Sequence, residues 1–189
     1  KTVCNENEID LIIPGVDEEL TQLSSFSEKE TVDVLLPDSN FIKLMLDKHA
    51  CAKSIDSSGL TVPKTFAVDR VDEIDFPLII KPKTGRGSRG VKIVNSHKEL
   101  NAYRVLNPAN DDDLIVQELA IGTEYTVLVS ANKGGYLNAI IPVRVELKKG
   151  ITIKAKIDMN KLIIEYSKKL HSHYRAAGIY NIQCILTQS

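Results

Sequence analysis

Residues 76–94 read Phe-Pro-Leu-Ile-Ile-Lys-Pro-Lys-Thr-Gly-Arg-Gly-Ser-Arg-Gly-Val-Lys-Ile-Val, an apolar run carrying Lys81, a glycine-rich basic loop and a second short apolar run. Leu78, Ile79 and Ile80 are residues that fill a buried strand, and an ammonium group at the end of such a run is costly to bury without an anion beside it. Gly85, Gly87 and Gly90 admit positive φ and close approach of the backbone, Ser88 lies among them, and Arg86 and Arg89 put charge beside exposed N–H groups. A triphosphate fits that chemistry. The spacing Gly85-x-Gly87-x-x-Gly90 matches the dinucleotide fingerprint, which requires a helix directly after the glycines. Here Val91–Val94 alternates as a strand does, and a helix is expected only from Ser96, which stands at capping-box spacing from Glu99. The loop therefore joins two strands, as a hairpin lying over phosphates, and no Gly-Lys-Ser/Thr follows to make it a Walker loop. An ordinary basic β-turn has the same composition; the lysine on the preceding strand is what favours phosphate.

Gln117-Glu118-Leu119-Ala120-Ile121-Gly122-Thr123-Glu124 sets two carboxylates around a glycine corner between strands, where a cleft is expected to open. Backbone groups of Glu118, Leu119 and Ala120 suit an adenine edge, and Glu124 suits a ribose. Arg144, Lys154 and Lys156 fall on adjacent predicted strands, the two lysines on one face by period two; they fit a transferred phosphoryl group or an acidic substrate, and equally plain solvation. His171 and His173 diverge by about 200° on a predicted helix and make a poor metal pair. Asn107–Asp113, with three aspartates, is read as a solvated turn.

These residues need elements to hold them. Ile9–Ile13 and Val32–Leu36, each ended by proline, flank a helical segment over Asp17–Leu23, a βαβ pattern. Asp38 or Ser39 can cap one helix running to about Ser57, stopped by Gly59. Residues 60–68 read as an extended connector into a smaller unit, over 69–118, with the order helix, strand, glycine loop, strand, helix, strand. Strands are expected over 124–130, 136–145 and 151–157, with turns at Asn132–Gly135 and Lys148–Gly150, then an amphipathic helix over 160–176 and a last strand over 179–186. The implied domains are 1–38, 39–68, 69–118 and 119–189.

The 189 residues are 43% hydrophobic with a formal net charge of -1, which suits a soluble globular protein and excludes nucleic-acid binding driven by bulk charge. Cys4, Cys51 and Cys184 are odd in number and lack a Cys-x-x-Cys pair, which points to a reducing compartment. No apolar run approaches the length of about 18 that spans a bilayer, and a cytoplasmic location is the expectation.

The order Asp47-Lys48, Gly59-Leu-Thr-Val-Pro63, Phe76-Pro-Leu-Ile-Ile-Lys81-Pro-Lys, Gly85-Arg-Gly-Ser-Arg-Gly-Val91, Gln117-Glu118, Gly122-Thr-Glu124-Tyr and Asn181-Ile-Gln183 resembles the ATP-grasp superfamily over nearly the whole chain, in the branch of the carbamoyl-phosphate synthase large subunit and carboxylate-amine ligases. The resemblance implies two α+β subdomains clamping ATP, preceded by part of a Rossmann-like βαβ unit (α/β at the N-terminus). It implies that Lys48 and Lys81 bind phosphates, that Gly85, Gly87, Ser88, Arg89 and Gly90 close over them, and that Glu118, Leu119 and Ala120 meet adenine while Glu124 holds the ribose. Arg144 is the implied catalytic residue and Gln183 an implied metal-facing side chain. ATP and Mg²⁺ are the implied cofactors, and the partners are a small-molecule carboxylate and an amine or similar nucleophile joined through an acylphosphate. No nucleic acid or membrane is expected, and a homodimer is left open.

Leu128 stands where many relatives have an aspartate, and the family's Glu-x-Asn-Pro-Arg metal run is absent from this sequence. The sequence is thus expected to be a piece, short at both ends, that binds nucleotide weakly and turns over little. The alternative is a non-catalytic nucleotide-binding or assembly module. A kinase-like reading fails because no His-Arg-Asp segment occurs.

Overall fold

The computed structural model describes residues 2–27, 32–107 and 110–188, so Pro108 and Ala109 of the polar loop lie outside the described residues. Two compact units are present, one of Lys1–Leu44, Tyr125–Val143 and Ile157–Cys184, the other of Met45–Glu124, Arg144–Lys156 and Ile185–Ser189.

The first unit begins with α1 (Thr2–Glu6), β1 (Leu11–Ile12), α2 (Asp17–Ser27) and β2 (Asp33–Val34). β1 pairs parallel with β2, Leu11 opposite Asp33 and Ile12 opposite Val34, as the βαβ pattern requires. Asp38 Oδ1 accepts from the N–H groups of Asn40 and Phe41, both at 3.0 Å, and so caps α3 (Ser39–Leu46).

The single helix expected to run to Ser57 is two. At Asp47 the backbone leaves the helical region (φ -94, ψ 108), and its carboxylate accepts from the N–H groups of His49 and Ala50 at 2.9 and 3.0 Å, starting α4 (Lys48–Ser57). An aspartate that satisfies two otherwise unpaired N–H groups makes a new helix start competitive with continuing the old one. The break places Lys48 at the first position of α4. Asp47→Ala is expected to cost about 1 kcal/mol, lowering the thermal midpoint by roughly 2–4 °C; scanning calorimetry would show it.

The second unit carries a small sheet built from β3 (Thr65–Ala67), β4 (Leu78–Pro82), β5 (Lys92–Val94) and β6 (Leu114–Glu118), in the order β3-β6-β4-β5 with antiparallel pairs. The connector expected over 60–68 therefore supplies an edge strand, too short for its alternation to register. Pairing sorts the residues onto two faces. Leu78 and Ile80, with Val94, Leu114 and Val116, are at most 1% exposed and pack with Val68, Val71 and Leu100 of α5 (His97–Leu106) in one core cluster. Each such side chain contributes about 1.5–3 kcal/mol by leaving water. Ile79 and Lys81 point to the opposite face, together with Ile115, Gln117 and Thr65 by register. The capping box is displaced: Ser96 Oγ accepts from Glu99 N–H at 3.3 Å, but the Glu99 carboxylate reaches back to Asn95 N–H at 2.9 Å, one residue before the cap.

The longer strands are β7 (Thr123–Ala131), β8 (Leu137–Lys149), β9 (Ile151–Ile157) and β10 (Gly178–Leu186), in sheet order β10-β7-β8-β9. β8 runs 13 residues, past the expected end at 145, so the predicted lysine-rich turn contracts to Gly150 at φ 73. Between β9 and β10 lies α6 (Lys161–Tyr174), capped by Asn160 and ended by Arg175 in the left-handed region at φ 49, three residues before the expected glycine stop. His171 is buried, its Nδ1 2.8 Å from the Tyr180 hydroxyl and its Nε2 3.0 Å from the Gly135 carbonyl, which fits a structural role. Among the described residues no helix is long and apolar enough to cross a membrane, and the three cysteines are free thiols.

Candidate functional site

Lys81 is the centre of the site because its strand sends it to the face away from the core. Its Nζ donates to Gln117 Oε1 at 2.7 Å, a diagonal reach between adjacent strands. Gln117 is itself oriented, since its Nε2 donates to Thr65 Oγ1 at 2.7 Å and that hydroxyl donates to the Pro63 carbonyl at 2.8 Å. The acceptor offered to Lys81 is thus a neutral amide oxygen. Burial pushes the Lys81 pKa down to about 8, and the cations of Lys48 and Lys148 push in the same direction, against Cys51. A half-buried ammonium group with cationic neighbours and a neutral acceptor has its charge left uncompensated by the protein, which is the chemistry an anion would satisfy.

Lys48 reaches the same place from α4. Its Nζ donates to the carbonyls of Gly85 at 2.7 Å and Lys83 at 3.4 Å, while its backbone N–H donates to Lys83 at 2.8 Å. The glycine loop joins β4 to β5 as expected, is exposed over residues 84–90, and takes positive φ at Gly85, Gly87, Ser88 and Gly90. Arg89 N–H donates to Arg86 O at 3.4 Å and Val91 N–H to Ser88 O at 3.2 Å, folding the loop into turns; Ser88 Oγ donates to the Gly150 carbonyl at 3.2 Å.

Glu124, at the start of β7, is ion-paired with Lys148 of β8. Lys148 was not among the residues picked out from the sequence, because it was read as part of a turn; its signal is the alternation Arg144, Glu146, Lys148 that continues β8 on one face. Glu118 is committed to β3: its N–H donates to Lys64 O at 2.9 Å and its Oε2 accepts from Lys64 N–H at 3.1 Å. Leu119 and Ala120 follow it, half-buried.

Two predicted residues have other company. Arg144 lies 3.5 Å from Glu146, whose other oxygen is 3.0 Å from Lys154. Gln183 is an exposed residue of β10, in the first unit. Mg²⁺ takes carboxylate oxygens in near-octahedral geometry, and among the described residues no three His, Cys, Asp or Glu side chains gather to hold a metal.

Fold and site together define an α+β domain in which a glycine hairpin and a strand lysine share one small antiparallel sheet. The ATP-grasp domain profile matches residues 45–186, and the chain belongs to that family. It is similar to D-alanine--D-alanine ligase A of Bacillus cereus, at 25% identity over 114 residues, 55% of this chain and 38% of that one. It is also similar to the mitochondrial arginine-specific carbamoyl phosphate synthase large chain of Neurospora crassa, at 27% over 115 residues, 56% of this chain and 10% of that one. These matches span well under two thirds of the relatives' length. Among solved structures, D-alanine--D-alanine ligase from Bacillus anthracis, complexed with ATP, superposes with a TM-score of 0.71 at 18% identity, covering 98% of this chain and 67% of that one. That likeness supports the ATP-grasp fold expected from the sequence.

Proposed function

We propose that this chain grips ATP for a ligase that joins a carboxylate to an amine. The observation that carries the reading is the Lys81 ammonium group, held by a neutral amide oxygen, with Lys48 bound to the glycine loop beside it and the cations of Lys48 and Lys148 near enough to lower its pKa. Lys48 and Lys81 bind the phosphates, the loop of Gly85, Gly87, Ser88, Arg89 and Gly90 covers them, and the segment from Glu118 to Ala120 meets the adenine edge. Glu118 has already spent its N–H on Lys64, so its own backbone contact with the base is through its carbonyl. Glu124 takes the ribose, and Lys148 then turns from Glu124 toward phosphate.

In the reaction proposed, a carboxylate oxygen attacks the terminal phosphorus, ADP leaves, and an acylphosphate forms. An amine attacks its carbonyl carbon, inorganic phosphate leaves with the electron pair, and the amine gives up a proton as the amide forms. Arg144 is the substrate-side cation that offsets charge on the group in flight. The test is an ATP titration by calorimetry. Lys148→Ala, which removes one of three cations, is expected to weaken ATP about 5- to 20-fold; affinity equal to that of the parent chain, or no ATP binding by the parent, would sink the reading.

A further inference from the structure

The glycine loop is exposed, yet three side chains tie it down. Lys48 holds the Gly85 carbonyl at 2.7 Å, Ser88 holds the Gly150 carbonyl at 3.2 Å, and Tyr103 donates its hydroxyl to the Gly90 carbonyl at 2.5 Å. The first tie comes from a lysine that a phosphate would recruit. The third is independent of any ligand, because Tyr103 stands on α5 with its ring packed on the core cluster of the small sheet. Its hydroxyl accepts from Asn107 Nδ2 at 2.6 Å, which leaves the O–H to point at Gly90.

Gly90 lies close against its neighbours. A Cβ there would stand 3.0 Å from the Pro82 ring and 3.3 Å from the Tyr103 oxygen, and its φ of +67 is one that glycine takes freely. Pro82 directly follows Lys81, so the hydroxyl sets the loop's end against the strand that carries the strand lysine. The peptide plane extends the effect: the Gly90 carbonyl and the Val91 N–H are rigidly opposed, and that N–H donates to Ser88 O at 3.2 Å, closing the last turn of the loop.

We propose that Tyr103, oriented by Asn107, is a positioning residue that fixes the glycine loop over the nucleotide's phosphates. The proposal rests on the ATP reading above. Tyr103→Phe keeps the ring and removes the donor; it is expected to weaken ATP about 5- to 10-fold while leaving AMP affinity unchanged and speeding hydrogen exchange at the Val91 amide. Asn107→Ala, a second variant should the first fold poorly, shifts ATP affinity in the same direction by less. ATP affinity unchanged in Tyr103→Phe, or equal losses for ATP and AMP, overturns the proposal. Lys81→Ala run in parallel separates the two claims. If it loses ATP and Tyr103→Phe does not, positioning falls and the nucleotide reading stands; if the parent chain binds no ATP, or Lys81→Ala binds it as well as the parent, both fall.

Discussion

Lys81→Met is expected to give a chain that is more stable at neutral pH and nearly blind to ATP. The Lys81 pKa falls from 10.5 to about 8 in the folded chain, first through burial and then through Lys48. Below about pH 8 the lysine is charged in both folded and unfolded chains, and its unfavourable burial is fully present. As pH rises through the folded value the folded chain sheds this charge while the unfolded chain keeps it to about 10.5, so stability from this group rises across that window. The shift corresponds to an upper bound of about 3–4 kcal/mol, of which roughly 1–2 kcal/mol should survive relaxation and solvent access. Methionine fills the stem's volume without the charge. The gain should therefore be largest at pH 7 and shrink toward pH 10, as urea titrations at the two pH values would report.

The same substitution removes a charge-assisted phosphate contact, worth about 1.5–3 kcal/mol, so ATP affinity should fall roughly 10- to 100-fold. Above pH 8 the parent chain must take up a proton when polyphosphate binds, and calorimetry in buffers of different ionisation enthalpy reads that uptake directly. A Lys81→Met chain that is less stable at pH 7, or that binds ATP normally, would show that Lys81 is an ordinary strand lysine.

How far the sequence carried this site depends on what kind of signal each residue leaves. Lys81 and the loop were legible because a cation in an apolar run and three glycines are locally odd. The βαβ start and the small unit's element order were legible for the usual reason, that hydrophobic periodicity reports which face is buried. Lys148 was not, since a lysine pair before a glycine has the composition of a turn, and only pairing with β9 keeps those residues extended. The break at Asp47 was hidden by an apolar stripe continuous enough for one helix. The Tyr103 tie was hidden as well, because a contact across 13 residues between a hydroxyl and a carbonyl leaves no pattern in composition. Local conflict is visible in a sequence; tertiary hydrogen bonding is not.

Gly122→Ala is the backbone counterpart of the lysine experiment. Gly122 forms the corner between β6 and β7, two residues before Glu124. A Cβ there would stand 2.2 Å from the carbonyl oxygen and 2.8 Å from the carbonyl carbon of Leu186, and 3.0 Å from Ile185 Cγ2. The obstacle is main chain at the end of β10, which no rotamer change can move aside, so the corner itself must shift. Overpacking of this kind costs about 1–3 kcal/mol, and more where backbone meets backbone. The shift carries Glu124 with it and loosens its pairing with Lys148. Inorganic triphosphate, held by the lysines and the loop, should then bind nearly as in the parent chain, while ATP loses whatever the ribose contributes. Urea unfolding and paired titrations with the two ligands test both halves; stability within about 0.5 kcal/mol of the parent would mean that the corner yields freely and that Glu124 is not held in place by it.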